Sequence, residues 1–150
     1  MTKHGPAQRI RPIAIAIVRN GDQILVQHGF DSRKNQSFYR PPGGGIDFGE
    51  PASESLAREF REELGAELCN VQLLRVVENI FLLEGKTGHE VVFVFEADFA
   101  DSSFYQRSDL EILEADSRTQ ASWISVSELV AGTVPVYPEC VLDFLTDDPA

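Results

Sequence analysis

The chain has 150 residues, 43% of them hydrophobic and 25% charged, with a formal net charge of -11. That balance fits one globular domain with a real core and excludes a disordered chain. The acidic excess argues against tight binding to a nucleic-acid backbone or an anionic membrane, but a small phosphorylated substrate stays compatible because a divalent cation reverses the local field.

Residues 1–10 read as a mobile tail and residues 11–150 as one domain. The stretch "MTKHGPAQRIRP" lacks the apolar core of a leader peptide, no apolar run reaches membrane-spanning length, and Cys69 and Cys140 form no metal-type pair. The cytoplasm is the expected compartment. Ile13–Val18 is apolar at almost every position, as in a strand covered on both faces. Asn20–Asp22 is a hairpin turn signal, with Gln23–His28 as the returning strand. The polar run from Gly29 to Arg40 reads as a surface loop leading to the glycine turn Gly43–Gly45.

Pro51 suits the first helical position, and the helix is expected to run to Leu64 and stop at a left-handed Gly65. Its apolar stripe is Ala52, Leu56, Phe60 and Leu64, with Ala57 beside it. Val71–Leu83, with mixed periodicity and room for a bend, and Glu90–Phe99 read as strands. Residues 100–120 read as a long acidic loop with at most one short ordered piece. A strand in Ala121–Val130 then feeds a helix capped by Ser127, a last helix follows in Tyr137–Leu145, and Trp123 is assigned to the core. Strands, a helix, more strands and terminal helices give one mixed α/β domain with helices on a central sheet.

The helix carries Glu59, Glu62 and Glu63 within five residues. Neighbouring like charges at that spacing destabilise a helix by roughly 0.2–0.5 kcal/mol per pair. At helical periodicity Glu63 falls almost inside the apolar stripe, Glu59 borders it and Glu62 lies further round, whereas Glu54, Arg58 and Arg61 occupy the far side. Carboxylates beside a core call for a positive partner, and a hard divalent cation with oxygen ligands is the simplest one. The glycine turn ahead of the helix lets backbone approach a ligand closely. The three histidines, His4, His28 and His89, are scattered and read as structural or surface groups. Phe38 and Tyr39 suit either a base-stacking or a core role, and Arg40 either a substrate phosphate or solvent.

Together Gly44, Glu50, Arg58, Glu59, Phe60, Glu62, Glu63, Gly65 and Ala66 stand at the spacing G-x5-E-x7-REF-x-EE-x-GA. This resembles the signature box of the Nudix hydrolases, with small Ala66 where a larger aliphatic is usual and Asp47 where Glu is common. The resemblance implies an α/β/α sandwich around a mixed β-sheet and hydrolysis of a nucleoside diphosphate linked to another moiety, with Mg²⁺ or Mn²⁺. It further implies that Glu59, Glu62 and Glu63 bind metal, that the Gly43 carbonyl is a further ligand and that Glu59 doubles as a base. Arg58 would orient the acidic cluster, and Glu50 and Gly65 would be structural.

Many family members add an acid from a later loop. Glu111, Glu114 and Asp116 compete for that place, and the local order of "LEILEAD" favours Glu114. Arg40 and Tyr39 are taken as substrate-binding residues. The expected partner is a small nucleotide-type diphosphate, with no nucleic acid and no membrane; oligomeric state stays open, a homodimer included. Rival readings are a housecleaning hydrolase of oxidised nucleoside triphosphates, a non-catalytic nucleotide sensor and, least favoured by the acidic charge, a cap-removing enzyme on RNA.

Overall fold

The computed structural model describes residues 8–114 and 117–146. The expected tail therefore lies outside the described residues as far as residue 7, and the first strand already begins at Ile10. The strands are β1 (Ile10–Asn20), β2 (Gln23–Asp31), β3 (Gln36–Arg40), β4 (Gly43–Gly45), β5 (Leu68–Leu83), β6 (Lys86–Phe99), β7 (Asp109–Glu114) and β8 (Ser117–Ser125). The helices are α1 (Ala52–Leu64), α2 (Val126–Ala131) and α3 (Val141–Thr146).

The sheet order is β5-β6-β1-β2-β8-β7, with β3 added to β2 and β4 to β1. β1 and β6 run parallel and the other pairs antiparallel, so the sheet is mixed. β1 shows why the order holds. Ala14, Ala16 and Val18 enter one core with Leu56 and Phe60 of α1, while Ile13, Ile15 and Ile17 enter a second core with Leu129, Val141 and Leu145. Successive strand residues face opposite ways, so an uninterrupted apolar run needs cover on both sides. The small alanines let α1 approach, and burying Leu56 and Phe60 contributes about 1.5–3 kcal/mol each.

Helix α1 follows its expected outline. Its first residue is Ala52, one later than expected, with Pro51 capping the start in an extended conformation, and Gly65 ends it at φ 65° with its N–H on Arg61. β5 carries the expected irregularity, as its register against β6 shifts between Cys69 and Gln72 and again between Leu73 and Arg75.

Three expectations are corrected. Residues 29–40 form the β2–β3 hairpin rather than a loop, because the Asp31 carboxylate accepts hydrogen bonds from the Arg33 and Lys34 N–H groups and Asn35 supplies a positive φ. Residues 100–120 hold a 3-10 turn at Ser102–Gln106 and the β7–β8 hairpin, because Leu110 and Ile112 give the acidic stretch a buried face. The cap of α2 is Ser125, whose hydroxyl accepts from the Glu128 N–H, two residues before the expected Ser127. Trp123 packs partly buried against the α1-side core, its ring stacked on Tyr105. Among the described residues no helix is long and apolar enough to cross a membrane.

Candidate active site

Strand β4 lies in the ladder beside β1 and is fastened to α1. Gly45 O accepts hydrogen bonds from Ser55 Oγ at 3.0 Å and from Arg58 Nη2 at 3.2 Å, and Ser55 is fully buried. The two preceding glycines are needed for different reasons. A Cβ on Gly43 would stand 1.9 Å from the backbone oxygen of Ala14, so the fold itself requires glycine there. A Cβ on Gly44 would stand 2.4 Å from the carboxyl carbon of Glu59, so the turn is a cradle for that side chain.

Arg58 is the hub of the acidic cluster. Its guanidinium donates to Glu50 at 2.8 and 3.0 Å, to Glu59 at 3.1 Å and to Glu62 at 3.1 Å, and pairs with Asp47 at 3.4 Å. The side chain thus reaches back over the glycine turn and touches four carboxylates and the Gly45 carbonyl. The hydrogen bonds from Arg58 hold the Glu50 carboxyl down at about 2, and the same bonds raise the guanidinium above its ordinary value.

Glu59 is enclosed, with 15% of its side chain exposed, whereas Glu62 shows 59% and is drawn to Arg58. Glu63 is hydrogen-bonded to Glu59. Burial, that hydrogen bond and the charges of Glu59 and Glu114 push its carboxyl up to about 9, with Arg40 pulling it down. Among the described residues no three His, Cys, Asp or Glu side chains converge into a ready-made metal cage. Even so, Glu59 and Glu63 pressed together beside a core, with Glu114 close enough to raise Glu63, are a hard-oxygen set that fits a divalent cation.

Strand phase explains why Glu114 joins the cluster. Leu110, Ile112 and Glu114 alternate on β7, the first two are buried in the core under α1, and Glu114 continues their row toward Glu63. Glu114 also accepts a hydrogen bond from Gln27 Nε2 at 3.1 Å. Glu111 faces the opposite way and pairs with Arg118 at 3.8 Å, while Asp116 lies outside the described residues. Glu114 therefore sits at the end of a strand, where the sequence reading expects a loop.

On the other face of the sheet lies a cavity of about 450 Å³. Its floor is Ile13 and Ile15 of β1, Glu90 of β6 and Asn79 of β5, and its walls include the rings of Phe38, Phe81 and Tyr137. Two of those rings rest on glycines, since a Cβ on Gly29 would meet Phe38 at 2.4 Å and one on Gly88 would meet Phe81 at 2.3 Å. Arg40 lines the cavity and also acts on Glu63, so the cavity borders the carboxylate cluster.

Tyr39 does not line this cavity. On a strand it faces away from Phe38 and Arg40, its ring meets His28 edge-on, and its backbone is held by Pro135 and Tyr137. Of the two neighbouring rings, Phe38 is the one that lines the cavity. His28 bonds to Ser122 and His89 to Glu78, and neither histidine lines the cavity; His4 is outside the described residues. Phe81, Tyr137 and Glu90 escaped the sequence reading. The usable signal was "GHE" (Gly88–Glu90), a glycine and an acidic residue opening an otherwise apolar strand.

The NUDIX domain family model matches residues 9–144. Curated relatives include the NAD-capped RNA hydrolase NudC of Pseudomonas putida, 29% identical over 81% of this chain, and that of Pseudomonas entomophila, 28% identical over the same share. The chain spans 38% of the length of these relatives. Among solved structures, the MutT NUDIX hydrolase of Burkholderia pseudomallei superposes with a TM-score of 0.68 at 24% identity, covering 93% of this chain and 100% of that one. The MutT protein of Bacillus halodurans gives 0.64 at 22% identity, with 92% and 84% covered. The α/β/α layering with a mixed central sheet is the fold they share.

Proposed function

The chain belongs to the NUDIX domain family, and from that premise we propose that it hydrolyses a diphosphate linkage in a small molecule carrying a nucleoside, with Mg²⁺ or Mn²⁺ as cofactor. The observation that carries this reading is the position of Arg40, which lines the aromatic cavity and lies near enough to Glu63 to act on its carboxyl. A nucleoside held between Phe38, Phe81 and Tyr137 would lead its diphosphate past Arg40 onto the carboxylates. The NudC relatives act on an RNA cap that itself contains a nucleotide diphosphate. Here the acidic charge favours the small-molecule form of such a linkage.

Glu59, Glu63 and, after rearrangement of its bond to Arg58, Glu62 would hold the cation, together with the Gly43 carbonyl. When bound, such an ion neutralises phosphate oxygens and lowers the pKa of a water. The other work falls to the chain. Glu59, positioned by Gly44 and Arg58, accepts the proton of the attacking water; the water oxygen joins one phosphorus, the anhydride P–O bond breaks, and the second phosphate leaves. Arg40 orients the diphosphate, and the aromatic walls exclude water from the nucleoside. Glu114 steadies the cluster from β7.

The test is a turnover screen over nucleoside triphosphates, nucleotide sugars, dinucleoside polyphosphates and ADP-ribose, with and without Mg²⁺ or Mn²⁺. At least one compound should be cleaved, and only with metal. Binding without cleavage across the whole panel would make the protein a nucleotide sensor instead.

A further inference from the structure

Glu90 is the one ionisable side chain at the cavity floor that nothing in the proposed reaction uses. It is 7% exposed, yet no hydrogen bond reaches its carboxylate among the described residues; its one charged partner is Arg11, 3.8 Å away and itself half-exposed. Strand register places it in a single row across the sheet, with Arg11 of β1 on one side and Asn79 of β5 on the other. The Asn79 amide also has no hydrogen bond among the described residues and lines the same cavity. An acceptor withdrawn from water without donors is costly, and elsewhere this protein satisfies its enclosed carboxylates: Asp31 accepts three backbone N–H bonds, and Glu50 two bonds from Arg58.

We propose that Glu90 selects the substrate by accepting a pair of hydrogen bonds from two adjacent donors on the nucleoside, with Asn79 beside it. The inference rests on the cavity holding the nucleoside part of the substrate. A carboxylate offers two acceptors side by side, which matches a guanine-type edge, where a ring N–H adjoins an amino group. An adenine edge offers an amino donor next to a ring acceptor, and a ring acceptor is repelled by the carboxylate. The cis-diol of a ribose presents the same paired-donor chemistry, so the test separates the two sources. Phe38, Phe81 and Tyr137 supply faces for stacking in either case.

Nucleoside monophosphates contain no anhydride bond, so their binding reports on the cavity whether or not the hydrolase reading holds. Calorimetric affinities are compared for GMP, IMP, AMP and the 2′-deoxy forms of GMP and AMP. If the base edge supplies the donors, GMP binds wild type at least about tenfold tighter than AMP, IMP falls between them and the deoxy forms match their parents. If the ribose supplies them, GMP and AMP bind alike and both deoxy forms weaken by a similar factor. In either case Glu90→Gln brings the discrimination to within about twofold, with melting temperature as the folding control. Wild type binding all five nucleotides within about twofold of one another overturns the inference without any variant. So does Glu90→Gln weakening every nucleotide equally.

Discussion

The two faces of the sheet solve opposite problems. On the α1 face charge is crowded and fastened: Arg58 alone engages Glu50, Glu59 and Glu62, and a glycine cradle fixes Glu59 from behind. On the other face space is left open, and among the described residues no hydrogen bond reaches the Glu90 carboxylate or the Asn79 side-chain amide at the bottom of it. A region that must hold geometry spends its hydrogen bonds internally. A region that must receive a ligand keeps them for the ligand. Arg40 belongs to both, and the comparison turns on whether changes on one face spare the other.

The largest expected effect is on the crowded face. Glu59→Gln keeps the shape and removes the base, so turnover should fall by at least about 10²-fold while nucleotide affinity holds. Glu54→Gln, exposed on the same helix, should leave both unchanged. Equal losses from the two would return the cluster to an ordinary solvated face.

Adjacent glycines sharpen the distinction between fold and site. Gly43→Ala drives a methyl into the Ala14 backbone and should cost more than about 3 kcal/mol of stability in a denaturant melt. Gly44→Ala meets only the flexible end of Glu59, so the melt should move by less than about 1 kcal/mol while turnover drops about tenfold. A destabilised Gly44→Ala variant would mean that the turn supports the fold alone.

At the border, Arg40→Gln should raise KM by about tenfold and lower kcat less, because the guanidinium binds diphosphate in ground and transition states alike. A loss confined to kcat would move Arg40 out of the cavity's account and into that of the cluster.

The smallest effect concerns the far end of the cavity, where the β2–β3 and β5–β6 turns are tied together. Burial raises the Asp31 carboxyl, but backbone N–H donors from Lys34, Glu84 and Arg33 outweigh it and hold the group below its ordinary 3.8. Its folded pKa is thus depressed, so its stabilising contribution is full above the unfolded pKa and is lost as pH falls through the folded one. Hydrogen exchange at the Arg33, Lys34 and Glu84 amides should accelerate on acidification below about pH 4, relative to the rest of the sheet, and Asp31→Asn should abolish that pH dependence. Unchanged protection down to pH 2 would show that the turns hold without the charge.

What was legible in the sequence follows the same division. The glycine turn and α1 are contiguous, so residue spacing and helical phase were enough to set Glu59 and Glu63 against the core edge before any coordinates. Glu114 was favoured for the local order around it; the deeper reason is strand alternation with Leu110 and Ile112, which turns Glu111 away. The cavity was illegible because its lining comes from four strands, the β2–β3 turn and the segment 137–140, brought together only by sheet order. The Gly29–Arg40 stretch hid a hairpin because its polar turn outweighed two short strands. Adjacent Tyr39 and Arg40 were grouped by sequence, and a strand separates neighbours.

The central claim is that one substrate molecule spans both faces, phosphate at the carboxylates and nucleoside in the cavity. Paramagnetic relaxation of bound AMP by Mn²⁺ tests this directly, since the effect falls steeply with distance. The account predicts strong relaxation of the phosphate phosphorus, weak relaxation of the base protons, and loss of both in a Glu59→Gln, Glu63→Gln double variant that still binds AMP. Bound AMP whose phosphorus is untouched by saturating Mn²⁺, or relaxed equally in the double variant, would contradict it.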